Sequence, residues 1–199
     1  MKKKYGCFTI LIALVAFSLV ATVVGYYGSY WMDLYQRPWA YSRDSDAPLL
    51  VGKWHGNFTD PDGIKKEINL EIFVPMTSEE RWDRAGRKRR RRGSSSSKRA
   101  FDGMAIVSSK LGTETYELWG NVKREDYHDF DLDFSADENK PLKVPNFYVN
   151  LAQKSHWNND QMTLPVNFSY RLPNGTSHWN SADPRFSKIV TVTLLRQKE

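Results

Sequence analysis

One cysteine in 199 residues, Cys7, leaves no intrachain disulfide and no cysteine-based zinc site. No G-x-S-x-G elbow, P-loop or H-E-x-x-H motif occurs, so the familiar signatures of hydrolase, nucleotide and zinc-protease chemistry are missing. Uniform basicity is missing as well. The formal charge is +6, yet ten Lys/Arg against three acids between Glu79 and Arg99 make a local +7, and Lys2, Lys3 and Lys4 add +3. The remainder carries about −4, which disfavours a general nucleic-acid binder. What is present is 40 % hydrophobic and 14 % aromatic residues, enough to build one globular domain with additions.

The clearest pattern is a hairpin from Leu49 to Pro75. Its first arm alternates Gly52, Trp54, Gly56 and Phe58 with Lys53, His55, Asn57 and Thr59. Its second arm sets Ile64, Ile68, Leu70, Ile72 and Val74 at even spacing. This is the period of two that a strand requires. Between the arms, Asp60-Pro61-Asp62-Gly63 supplies turn chemistry: proline presets φ, Asp bonds back to the backbone, and Gly accepts a left-handed corner. Further strands are predicted over Phe101–Ser108, Thr115–Val122, Tyr127–Phe134, Phe147–Ala152, Met162–Leu172 and Phe186–Arg196. About eight strands at this spacing predict an antiparallel sandwich or barrel.

Ahead of the hairpin, Gly6 to Gly25 is a run of twenty uncharged residues behind three lysines. Roughly twenty residues at 1.5 Å rise span a bilayer core. The run exceeds the h-region of a cleaved signal peptide, and Val23-Val24-Gly25 is a poor cleavage site. Tyr26, Tyr27, Tyr30 and Trp31 then suit an interfacial aromatic belt. The expectation is one uncleaved N-terminal transmembrane helix, in a bacterial inner membrane, with the N-terminus in the cytoplasm and the β-domain in the periplasm or outside. The chain divides accordingly into a tail (1–5), an anchor with its belt (6–31), a tether (32–48) and a β-domain (49–199).

Within that domain a short helix is predicted from about Ser78 to Ala85, and a disordered basic insertion at about 84–99. The insertion holds six consecutive cations, Arg87, Lys88, Arg89, Arg90, Arg91 and Arg92, followed by four serines. The structural reading is a solvated loop. The functional reading is a handle for an anionic polymer, a lipid head group or an acidic protein.

Gly52-Lys53-Trp54 at the start of the first strand resembles the G-x-W signature of lipocalins and other calycin barrels. Those families pack an Arg of the last strand across that Trp, and Arg196 stands at the matching place. The resemblance implies a closed, up-and-down antiparallel barrel of about eight strands. In it Gly52, Trp54 and Arg196 close one end, and the interior is either filled or holds a small apolar ligand. It implies no particular function, because the fold hosts many. The anchor, the basic insertion and the missing disulfides depart from the family.

Two constellations invite chemistry. Asp129, Asp131 and Asp133 share the calcium-loop spacing at positions 1, 3 and 5, but Phe134 stands where Gly is needed and Lys140 where Glu is needed. Alternation with Phe130 and Leu132 predicts an acidic strand face, solvated or paired across strands. The tetrapeptide Ser-His-Trp-Asn occurs twice, at 155–158 and 177–180. Both copies are predicted in inter-strand loops at opposite ends of one strand. The bland reading is two Trp-anchored loops. The functional one is a ligand, a sugar or a base, stacked on Trp157 or Trp179 with His156 or His178 bonding to it. No metal site and no cofactor is expected. The sequence thus points to a membrane-anchored, non-catalytic binding or interaction module. Its competitors are an envelope component recruiting an anionic partner through its Arg-rich loop, and a hydrolase with an unrecognised site.

Overall fold

Strict alternation from Leu49 onward produces strands, and the computed structural model has nine of them among its described residues. Residues 7–44, 46–75, 98–137 and 144–197 are described. A helix α1 (Cys7–Gln36) is followed by β1 (Gly52–Thr59), β2 (Lys65–Ile72), β3 (Ala100–Ser109), β4 (Gly112–Val122), β5 (Asp129–Ala136), β6 (Asn146–Asn158), β7 (Gln161–Arg171), β8 (Ser177–His178) and β9 (Val190–Arg196), with a 3₁₀ helix at Pro184–Ser187. Strands β1 to β7 pair consecutively and antiparallel, β9 pairs with both β7 and β1, and the two-residue β8 is added on β7. Eight strands therefore close into an up-and-down barrel, compatible with a lipocalin-like fold, and among the described residues no long edge is left open.

Alternation decides what lies inside. Trp54 and Phe58 of β1, Ile68, Leu70 and Ile72 of β2, Phe101 and Ala105 of β3, Tyr116 and Leu118 of β4, Phe130, Leu132 and Phe134 of β5, Phe147 and Val149 of β6, Leu164 and Phe168 of β7 and Val192 and Leu194 of β9 are all buried in one cluster. Eight strands enclose a lumen just wide enough for side chains. Aromatic rings from six strands occupy it, and the Phe101 ring lies so close over Gly120 that a methyl group there would run into it. These side chains fill the lumen as the described residues show it.

Two observations bear on the N-terminal segment. First, among the described residues no helix is long and apolar enough to cross a membrane. Side chains 11–25 of α1 are all exposed. Second, the stretch 32–48 is more than a tether. α1 continues to Gln36, and the turn after it is built into the barrel: Arg37, Trp39 and Ala40 are buried, Trp39 meets Phe101 at 5.6 Å between ring centroids, and Leu50 N donates to Trp39 O at 2.8 Å. Proline and serine broke the sequence periodicity here, but an isolated Trp can still seal a barrel mouth.

Strand limits also shift. The first Ser-His-Trp-Asn copy belongs to the end of β6, because a bulge between Ala152 and His156, with Lys154 at φ 56°, restarts the pairing after a break in alternation. The predicted strand Phe186–Arg196 starts only at Val190, since Asp183 caps the 3₁₀ helix, its side chain accepting from Arg185 N. The short helix predicted at 78–85 and the Arg87–Arg92 cluster lie outside the described residues.

Candidate functional site

The barrel has two differently built ends. At the end where α1 arrives, Trp54 is fully buried and its Nε1 donates to Leu50 O at 3.0 Å. Register places Trp54 opposite Arg196, whose guanidinium stacks on the indole at 4.2 Å. Arg196 Nη1 also donates to Val51 O at 3.0 Å, Nη2 donates to Leu49 O, and Nε pairs with Asp160 at 3.1 Å. Burial pushes the Arg196 guanidinium down, and Asp160 works against that shift. Gly52 sits at φ +120°, and a Cβ there would meet Arg196 Nη1 at 3.1 Å. Glycine is therefore needed for its backbone angle and for the approach of the arginine. One cation thus ties together the segment leading into β1, the β6–β7 turn and the last strand.

Beside this closure lies a cleft of about 360 Å³ between the turn after α1 and the barrel, lined in part by Leu34, Pro38, Tyr41, Tyr127, His128 and Trp157. Trp157 is 2 % exposed, its Nε1 donates to Tyr127 O at 3.1 Å, and the His128 ring covers it at 4.9 Å. Its stacking face is taken. His156 is turned outward and pairs with Asp129 at 2.7 Å, and His128 pairs with Asp126 at 2.8 Å. The acidic face of β5 is therefore tied across strands: Asp131 receives Lys123 Nζ and, at 2.9 Å, Lys154 N. Among the described residues no group of three or more His, Cys, Asp and Glu side chains is placed to hold a metal ion.

The opposite end carries what the sequence reading missed. Lys66 points into the lumen with a side chain that is 0 % exposed. Its Nζ donates to Phe147 O across the barrel and lies 3.6 Å from both Asp60 Oδ2 and Glu114 Oε2. Asn146 Nδ2 donates to Glu114 Oε1 at 3.0 Å, and Tyr116 Oη accepts from Val149 N at 3.3 Å. Burial, reinforced by the neighbouring Glu114 carboxylate, holds the Tyr116 phenol well above its ordinary range. Above this cluster the 3₁₀ helix seals the end: Phe186 is buried 5.4 Å from Phe147, and Arg185 reaches back to Asp62 of the first hairpin turn at 2.6 Å. The parity of β1, β2 and β4 already puts Asp60, Lys66 and Glu114 on the inward side with Phe58, Ile68 and Tyr116. A charged residue at an inward position was the available signal.

At this same end, the second Ser-His-Trp-Asn copy lies open to solvent, with Trp179 64 % exposed and resting edge-on against Phe186 at 5.2 Å. The two copies therefore sit at opposite ends of β7 and form no joint site. Lys66, Glu114 and Tyr116 converge, but all are enclosed, so their chemistry holds strands together. In comparison with known proteins, the chain matches no protein-family model and no curated protein.

Proposed function

We propose that the protein is a membrane-anchored, non-catalytic β-barrel that works through its surface as an interaction module of the cell envelope. The observation that carries this reading is the continuity of α1 with the barrel. An apolar helix exposed on all sides calls for a covering, and a bilayer supplies it for a run that in sequence extends uncharged from Gly6 to Gly25. The helix then passes without a break to Gln36 and into the core-bound Trp39, so whatever holds the helix also holds the barrel, with little slack.

The filled lumen favours surface contacts over a small-ligand carrier. A specific arrangement favours an anionic surface as one partner. Pro75 and Lys98, which bracket the Arg-rich stretch, both lie at the end of the barrel that faces α1, and Tyr41 Oη donates to Pro75 O at 2.6 Å. A membrane holding the helix would therefore lie at the end of the barrel where the two described flanks of the Arg-rich stretch stand, and six cations suit anionic head groups.

The test is fractionation of the full chain. The wild type stays in the membrane pellet through high-salt and alkaline washes, whereas Leu14→Arg with Leu19→Arg moves a folded protein to the supernatant. Wild-type protein washed off by alkali would overturn the anchored reading. Replacing Arg87 to Arg92 by serine weakens salt-sensitive association with anionic over neutral vesicles, and unchanged association at low salt would reject the basic contact.

A further inference from the structure

The same tetrapeptide in two settings separates packing from recognition. In the first copy, Trp157 is absorbed by the core: buried, hydrogen-bonded at Nε1 and covered by His128. In the second, Trp179 keeps the identical neighbours in sequence and is left outside. It leans edge-on at 75° on Phe186, which braces it from one side. Phe186 is itself locked by Phe147, Tyr170 and His178 at 5.4, 6.0 and 6.0 Å. The exposed indole is thus the outer member of a rigid aromatic stack rooted in the barrel.

Its neighbours in the chain, Ser177, His178 and Asn180, are polar. Neither Trp179 Nε1 nor the His178 ring has a hydrogen-bond partner among the described residues. Asn180 spends its Oδ1 on Ala182 N at 3.0 Å, which leaves its amide NH₂ to bond outward. Ser177 and Tyr148 share a hydroxyl pair at 3.0 Å. Two cations stand nearby: Arg185 pairs with both Asp183 and Asp62 at 2.6 Å, and the Arg171 guanidinium stacks over the Tyr148 ring at 4.7 Å. The loops are set before any partner arrives: Asn174 Oδ1 accepts from Thr176 N at 3.0 Å, and Asp183 N donates to Asn180 O at 3.1 Å.

An open aromatic face beside neutral donors and acceptors, with Arg185 ion-paired and the Arg171 guanidinium stacked on Tyr148, best matches one ligand chemistry. The C–H face of a pyranose stacks on an indole, and its hydroxyls take up side-chain amides, imidazoles and hydroxyls. A phosphorylated ligand would call for a spare guanidinium, and an apolar partner for a broader apolar surround. We propose that Trp179, with His178 and Asn180, forms a binding site for neutral carbohydrate on the end of the barrel away from α1. This site stands whether or not α1 is held by a membrane.

The test uses the full chain in lipid nanodiscs free of glycoside detergent, titrated with neutral gluco-oligosaccharides, N-acetylglucosamine oligomers and, as a charged control, heparin. At least one neutral oligosaccharide binds. Trp179→Ala weakens it about tenfold or more, a loss of ~1.4 kcal/mol. Trp179→Tyr, which keeps an aromatic face, stays within about threefold of the wild type, and His178→Ala falls between. Equal melting temperatures for the wild type and Trp179→Tyr separate binding from folding. No neutral oligosaccharide bound at about 10 mM, affinity unchanged in Trp179→Ala, or binding confined to heparin with a steep salt dependence would each overturn the proposal.

Discussion

Replacing Lys66 by methionine keeps the length of the side chain and removes its charge. In the wild type the ammonium lies 3.6 Å from Asp60 Oδ2 and 3.6 Å from Glu114 Oε2, with side-chain exposures of 0, 0 and 9 %. Without it, two carboxylates share a dry site with no counter-charge, and Phe147 O keeps only the longer bond from Asn146 Nδ2 at 3.3 Å. Removing one partner of a buried ion pair costs about 3–5 kcal/mol. A domain of this size has on the order of 5–15 kcal/mol in total, and each kcal/mol moves its melting temperature by about 2–4 °C. Lys66→Met therefore lowers the transition by roughly 6–20 °C in a thermal or urea melt followed by circular dichroism. Adding Glu114→Gln and Asp60→Asn neutralises the site. Most of the loss then returns, because a buried pair is worth little more than a well-fitted neutral replacement. Asparagine at 60 retains the Oδ1 that accepts from Asp62 N at 3.0 Å and Ile64 N at 2.9 Å, so the hairpin turn survives. A single Lys66→Met variant as stable as wild type, or a neutral triple variant no better than the single one, would refute the argument that charge burial governs this end of the barrel.

Other outcomes follow from the same geometry. Gly52→Ala forces a side chain onto a left-handed backbone and against Arg196 Nη1, and costs about 1–3 kcal/mol in a denaturant melt. Trp39→Ala opens the mouth beside α1 and costs about 3–5 kcal/mol, read as a lower urea midpoint and as faster proteolysis between Gln36 and Gly52. Acid weakens the fold through Asp126, Asp131 and Asp183. Hydrogen bonds from His128 hold Asp126 low, and those from Arg185 hold Asp183 low. At Asp131 burial raises the pKa, but hydrogen bonds from Lys123 and Lys154 lower it on balance. Depressed carboxylates contribute stability above their unfolded value near 4 that is lost as pH falls through their folded values, so the melting temperature drops below about pH 4 and drops less in Asp131→Asn. Tyr116 has the opposite sign. Its raised value makes its contribution complete below about pH 10 and lost as pH rises further, and Tyr116→Phe flattens that alkaline limb of the melting curve.

The alternation of inward and outward side chains, the Asp60–Gly63 turn and the pairing of Gly52, Trp54 and Arg196 were legible in the chain itself. Each rests on local chemistry: a period of two, a backbone angle, or a motif of matching residues at the two ends of the domain. Three features were decided only by tertiary structure. The β6 bulge at Lys154 hid the last residues of that strand, because one extra residue inverts the parity on which the reading depends. Trp39 looked like part of a linker because a single aromatic between prolines carries no period, and only the barrel mouth gives it a place to go. Lys66, Asp60 and Glu114 were each visible at inward positions, but their sequence separations conceal that closure brings them to one point. The same holds for the two Ser-His-Trp-Asn copies. Identical residues became a core tryptophan at one end and an exposed one at the other, because burial depends on which strands and loops arrive next to a side chain, and no local stretch of sequence contains that information.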